Sequence, residues 1–104
     1  MPNGVDKNWI RLCATIDGFR SRYGRWPTRV RMWEMSLRDF DFLFTPADLA
    51  KICSRVSLVA DDAAAFIAED DLGGSFNYGD GDSPKRLRKL RAAEWLGVTP
   101  LHED

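Results

Sequence analysis

Histidine is nearly absent from this sequence of 104 residues, since only His102 is present, two positions from the C-terminus. Catalytic Ser–His and Cys–His pairs, and metal sites built from several histidines, would all depend on that one side chain. Cysteine is scarce too: Cys13 and Cys53 form no Cys-x-x-Cys pair, which excludes a zinc cluster of the usual spacing. We therefore assign no catalytic, cofactor-binding or metal-ligating residue, and we expect a protein without a cofactor.

Long apolar runs and glycine-rich loops are missing as well. No apolar stretch approaches the ~20 residues of a membrane span. The opening residues MPNGVDKNW contain no basic region followed by an apolar one, so we expect neither a signal peptide nor a membrane partner. No glycine-rich loop joins a predicted strand to a predicted helix, which excludes the nucleotide-binding fingerprints. We expect a cytoplasmic, bacterial-type protein whose two cysteines lie on apolar helix faces, with a disulfide between them left open.

The chain has enough hydrophobic residues to fold as one unit. Hydrophobic residues make up 44% of the sequence and twelve residues are aromatic, four of them Trp. A chain of this length normally forms one domain. We expect a single domain over 1–104, with an ordered core at about 6–97 and short polar tails.

Hydrophobic periodicity predicts the element order α-β-α-α-β-β-β-α. The predicted helices and strands are, in chain order, 6–23, 25–33, 36–44, 45–56, 57–61, 65–69, 75–78 and 83–97. Gly24 and Gly97 follow predicted helices as stop signals, and Gly73 with Gly74 provides a hairpin turn. The fold class is α+β, with a small, mostly antiparallel sheet of three or four strands covered on one face by helices.

Helix starts are predicted from capping residues. Asp6 is a candidate N-cap, Ser36 with Asp39 matches a capping box, and Thr45 with Pro46 matches a cap followed by proline at the first helical position. The residues expected in the core share apolar side chains on the inward face of these elements. They are Trp9, Leu12, Ile16, Phe19, Val30, Leu37, Phe40, Leu43, Leu49, Ile52, Val56, Leu58, Ile67, Leu87 and Leu90.

Acidic residues are concentrated in the segment FIAEDDLGGSFNYGDGD. The candidate acidic surface consists of Glu69, Asp70, Asp71, Asp80 and Asp82. A calcium-binding EF-hand loop starting at Asp80 would need Gly at its sixth position and Glu at its twelfth, where the sequence has Lys85 and Arg91. Asp is also common in turns because its side chain bonds the backbone, so solvated structural acids are favoured over a metal site.

Arginines and aromatic residues alternate just after the first predicted helix. The candidate binding surface consists of Arg20, Arg22, Arg25, Trp26, Arg29, Arg31 and Trp33. Such a strip suits phosphate contacts and base stacking. The same arginines could instead pair with the acidic hairpin, and a net charge of −1 is unusual for a dedicated nucleic-acid binder.

The charges are also segregated along the chain, which bears on assembly. Segment 1–55 has ten basic and six acidic residues, segment 56–84 has seven acidic and no basic ones, and segment 85–104 has five basic and three acidic ones. The strand SFNY (75–78) is expected at a sheet edge, where it could pair with a second copy. A homodimer follows if basic groups of one chain neutralise acids of the other; the alternative is that these charges meet inside one monomer.

The segments FRSRYGRWPTRVRM, LFTPADLAKI and FIAEDDLGGSFNYGD together resemble a group of small uncharacterised bacterial proteins, over roughly residues 9–97. That resemblance implies an orphan reading frame of the kind carried by mobile gene cassettes and brings no known activity. YGRWPT is also similar to the Gly-x-x-Pro turn of helicase-associated and homing-endonuclease-associated DNA-binding repeats, which are all-helical.

The sequence favours a non-enzymatic binding or interaction module that self-associates, with an unknown protein as a further candidate partner. The first alternative is a nucleic-acid-binding protein that uses the strip at 20–33. The second is a carboxylate-based, metal-dependent enzyme.

Overall fold

The computed structural model describes residues 4–63, 65–78 and 91–98, with side chains from residue 7 onward. The helices are α1 (Gly4–Tyr23), α2 (Glu34–Leu43), α3 (Pro46–Arg55) and α4 (Ala92–Leu96). The strands are β1 (Arg29–Met32), β2 (Ser57–Ala60), β3 (Phe66–Glu69) and β4 (Ser75–Asn77). The predicted α+β class and the element order are confirmed. No helix in this part of the chain is both long and apolar enough to cross a bilayer.

The four strands form one sheet in the order β2-β1-β3-β4. β1 pairs with β3 and β3 with β4 in antiparallel fashion, but β1 and β2 run parallel. The sheet is therefore mixed, and the expectation of a mostly antiparallel sheet is corrected. The reason is the connection, because α2 and α3 lie between β1 and β2 and such a helical crossover joins parallel strands.

One face of the sheet lies against the helices. Val30 and Met32 of β1 are fully buried, and Ala68 of β3 and Phe76 of β4 lie in the same layer. α1 contacts β3 and β4, while α2 and α3 contact β2. The opposite face presents Arg29 and Arg31, as the two-residue period of β1 predicts.

The predicted core is confirmed for most of its members, with one reversal. Ile67 lies on the face that carries Arg31, its register partner in β1, while Phe66 and Ala68 point into the core. β3 has three consecutive apolar residues, so alternation alone leaves its phase undetermined. Leu37, Leu49 and Leu58 are only partly buried at the edge of the core, and Leu87 and Leu90 lie outside the described residues.

Both cysteines are free, so the disulfide that the sequence left open is not formed. Cys13 is buried, whereas Cys53 is exposed on α3.

Two of the predicted helix starts are wrong and one is confirmed. α1 begins at Gly4, before Asp6, and α2 has Trp33 at its N-cap with no side-chain cap. Ser36 therefore lies inside α2 and is buried. At α3, Thr45 Oγ1 accepts the backbone N–H of Asp48 at 3.1 Å, as predicted.

The C-terminal helix is described only over α4, which ends at Gly97 with φ of 73° as predicted. The predicted first part of that helix, 83–90, lies outside the described residues. Asp17 of α1 fixes the start of α4 by accepting the backbone N–H of Arg91 at 2.6 Å. Burial raises the pKa of Asp17, although hydrogen bonds from the backbone of Arg91 and Ala92 oppose the shift.

Candidate functional site

The exposed sheet face carries a network of arginines and carboxylates within the chain. Arg29 donates from Nε to Glu69 at 2.9 Å and from Nη1 to Asp71 at 2.8 Å. Arg31 donates to both carboxylate oxygens of Glu69, at 3.1 and 2.8 Å, and to Asp61 at 2.8 Å. Burial raises the pKa of Glu69, but the bonds from the two arginines outweigh it and the net shift is downward. Arg29 and Arg31 of β1 therefore keep the carboxylate of Glu69 ionised.

Asp70 organises the turn between β3 and β4. It is 6% exposed and accepts the backbone N–H groups of Leu72 at 3.1 Å and Gly74 at 2.8 Å. Arg25 Nε donates to its other oxygen. The hydrogen bond from Arg25 lowers the pKa of Asp70 against the opposing effect of desolvation. This carboxylate has a structural role in the turn, as its residue type suggested.

The remaining arginines of the strip are bonded around the end of α1. Arg20 donates to the carbonyl of Gly24 at 2.7 Å and lies over the ring of Trp26. Trp26 stacks on Trp95 of α4 at a centroid distance of 4.4 Å. Trp26 is thus already in contact with Arg20 and Trp95, which disfavours its use for stacking on a base. Arg22 lies over the ring of Phe76 at 4.8 Å.

The predicted arginine and aromatic strip is therefore divided among separate places. Arg20 and Trp26 adjoin α4, Arg25 adjoins the hairpin turn, and Arg29 lies on the exposed sheet face. Trp33 lies at the other end of β1, 52% exposed, beside the 79%-exposed Met35. These residues are close in sequence but lie apart in space, because the chain passes from the end of a helix into a strand at 24–29.

The predicted acidic surface is divided between two places. Glu69 and Asp71 both accept hydrogen bonds from Arg29 on the exposed sheet face, and Asp70 accepts one from Arg25 in the hairpin turn. Asp80 and Asp82 lie outside the described residues. Within 4–63, 65–78 and 91–98, no cluster of three or more His, Cys, Asp or Glu side chains could hold a metal ion.

The two edges of the sheet differ in how their backbone groups are used. At β4, Tyr23 Oη accepts the N–H of Ser75 and donates to its carbonyl, both at 3.1 Å, and Arg22 donates to the same carbonyl at 3.2 Å. These side chains from α1 occupy the outward groups of Ser75. The expected edge position of this strand is confirmed, but half of its outward backbone is already bonded.

At β2 the outward groups are open. Ser57 and Asp61 donate their backbone N–H groups to β1, to Thr28 at 3.0 Å and Met32 at 2.7 Å. In a parallel ladder every second residue bonds the neighbouring strand, so Leu58 and Ala60 direct both N–H and C=O away from the sheet. In the part of the chain that the structure describes, no hydrogen bond reaches these outward groups.

A groove runs beside this open edge. Its volume is about 340 Å³, and it lies between β2 and the helices α2 and α3. Its apolar lining includes Leu37, Leu49 and Leu58, with Cys53 and Ala60 beside them. Glu34, Arg38 and Asp41 form its polar rim, where Arg38 donates to Glu34 at 3.0 Å.

Sequence reasoning did not identify this edge and groove. The segment Ser57–Ala60 contains no charge and no proline, the devices that usually protect an exposed edge strand. That signal becomes meaningful only when the strand order places β2 at the edge.

Comparison with protein-family models, curated proteins and solved structures finds no match to this chain.

Proposed function

We propose that this protein is a non-enzymatic interaction module that binds an extended polypeptide strand along β2. The proposal is supported by a difference between the two edges of the sheet. Ser75 of β4 is bonded by side chains of α1, whereas Leu58 and Ala60 of β2 present open backbone donors and acceptors. An added strand would satisfy these groups by main-chain hydrogen bonds, the recognition mode called β-augmentation.

The groove would supply the side-chain contacts. Alternate residues of an added strand point to opposite faces of the sheet, so every second side chain would meet Leu37 and Leu49. The rim carries Glu34 and Asp41 against one base, Arg38. This favours a segment with apolar residues at alternate positions and no excess of acidic ones.

Titration of synthetic six-residue peptides into isotope-labelled protein tests the proposal. The probes alternate Val or Leu with Lys or Thr, and a scrambled peptide of equal composition is the control. We expect the amide signals of Leu58 and Ala60 to shift and their hydrogen exchange to slow, because both amides gain acceptors.

The matched variants are Ala60→Pro and Asn77→Pro, each removing one outward N–H at a sheet edge. The first should abolish peptide binding and the second should leave it intact. Absence of binding by every peptide, or binding that Ala60→Pro leaves unchanged, would refute strand addition at β2.

A further inference from the structure

We infer that the strand that binds along β2 is β2 of a second copy of this chain, in antiparallel register about Val59. This inference rests on the proposed function and names the partner of the same site. In that register Leu58 of each copy lies opposite Ala60 of the other. Because a hydrogen-bonded antiparallel pair exchanges two N–H···O bonds, the two pairs give four bonds.

The register is self-complementary because the outward groups are symmetric about Val59. Leu58 and Ala60, one residue on either side, each offer one donor and one acceptor, while Val59 bonds β1 as Ser57 does. An isologous dimer requires such a surface, in which residue i meets j and j meets i. The product would be a continuous sheet of eight strands with the two copies of β2 at its centre.

Side chains on both faces are compatible with this register. Val59, which is 38% exposed, would meet Val59 of the second copy on the exposed face, where nonpolar β-branched pairs stabilise adjacent strands. Ser57 would lie opposite Asp61 of the second copy, whose carboxylate could accept the serine hydroxyl. On the helical face, Leu58 and Ala60 would join the two grooves into one apolar layer.

Charge is also complementary at the ends of the paired strands. Arg55, in the last turn of α3, is exposed, and so is Asp62, just beyond β2. The register brings Arg55 of each copy towards Asp62 of the other. Neither residue forms an ion pair within the described parts of the chain.

The paired strands are short, so we expect the two copies to associate weakly. Stable dimers bury about 1,200 Å² or more in total, and two four-residue strands fall short of that alone. Contacts between the groove rims on α2 and α3 would have to add to it. We therefore expect a dissociation constant in the micromolar range, on the order of 10 µM.

Sedimentation equilibrium at tens of micromolar is the first test. We expect the unsubstituted chain and Asn77→Pro to be mostly dimeric and Ala60→Pro to be monomeric, with circular dichroism confirming that both variants are folded. A dimer that survives Ala60→Pro, or one lost in Asn77→Pro, overturns pairing through β2.

Disulfide trapping is the second test and does not need a proline variant. Val59→Cys in a Cys53→Ser background places two thiols across a non-hydrogen-bonded pair, where Cα atoms about 4.5 Å apart suit a disulfide. Mild oxidation should give a covalent dimer on a non-reducing gel, whereas Asn77→Cys in the same background should not. Equal cross-linking of both variants overturns the register.

These tests separate the inference from the proposed function. A chain that stays monomeric at several hundred micromolar, yet binds the six-residue peptides in a way that Ala60→Pro abolishes, overturns self-pairing and leaves strand addition standing. A monomer that binds no peptide overturns both.

Discussion

Gly74 is the position where one added methyl group should destabilise this fold most directly. A Cβ on Gly74 would lie 2.7 Å from Cζ and 2.8 Å from Cε2 of Phe19, and 3.0 Å from Oδ1 of Asp70. Phe19 is fully buried and packs on Tyr23 at a centroid distance of 4.6 Å, so its ring cannot move aside without displacing its neighbours. Overpacking of this kind costs about 1–3 kcal/mol.

Urea unfolding followed by tryptophan fluorescence measures the effect of Gly74→Ala. We expect the free energy of unfolding to fall by about 2 kcal/mol, with the melting temperature falling about 5 °C for each kcal/mol. Gly73→Ala is the matched control, because Gly73 has φ of 90° and no atom within 4 Å of an added Cβ. Its cost is backbone strain alone, about 1 kcal/mol.

A double-mutant cycle with Phe19→Leu separates steric clash from strain. The smaller side chain should relieve the clash, so Gly74→Ala with Phe19→Leu should be less destabilised than the sum of the single variants, by about 0.5 kcal/mol or more. Gly73→Ala should add to Phe19→Leu without coupling. Additive behaviour at Gly74, or a Gly74→Ala protein as stable as the parent, would refute this reasoning.

Three further predictions concern a helix cap, a buried acid and the arginine strip. Thr45→Ala removes the side-chain cap of α3 and should lower the free energy of unfolding by about 1 kcal/mol, measured by urea denaturation. Asp17→Asn keeps an acceptor for α4 and removes a charge whose pKa is raised by burial. The asparagine variant should therefore be more stable than the parent at neutral pH, and this gain should disappear as pH falls through the raised pKa and protonates the parent. Asp17→Ala lacks the acceptor and should be less stable than Asp17→Asn at every pH. Labelled single-stranded and duplex DNA should show no change in anisotropy with the protein at low salt, because Arg29 and Arg31 already bind carboxylates; salt-dependent binding would contradict this and support the nucleic-acid alternative.

Local signals in the sequence predicted the features that depend on neighbouring residues. Thr45 followed by Pro46 fixes a helix start because the hydroxyl reaches a backbone N–H three residues on. The alternation in β1 was sufficient to place Arg29 and Val30 on opposite faces. Gly97 ends α4 because its backbone adopts positive φ.

Features set by distant partners were not predictable in this way. Ser36 and Asp39 have capping-box spacing, but Asp39 instead accepts a hydrogen bond from Asn8 of α1. The inward face of β3 is determined by its register against β1, in which Ala68 lies opposite Val30. The candidate site depends on the strand order, which a single sequence without a strong pairing signal leaves open.

Contacts inside one chain account for a large part of the segregation of charge along the sequence. Four of the seven acids in segment 56–84 accept hydrogen bonds from arginines of segment 1–55. They are Asp61, Glu69, Asp70 and Asp71. Their charges are thus balanced within the monomer, and a dimer no longer needs basic groups from a second copy.

This balance within the chain changes how strongly the salt concentration should affect the affinity of a dimer. Pairing through β2 would rest on backbone hydrogen bonds and on Leu58 and Val59, with Arg55 and Asp62 as the only interchain charge pair that the register suggests. Exposed pairs of that kind contribute at most about 1 kcal/mol. Raising the salt concentration shortens the Debye length from about 30 Å at 0.01 M to about 3 Å at 1 M. Two-fold symmetry gives two such pairs, so over that range the dissociation constant should rise by about thirtyfold at most. A change of several orders of magnitude would instead indicate an interface built from the arginines and carboxylates.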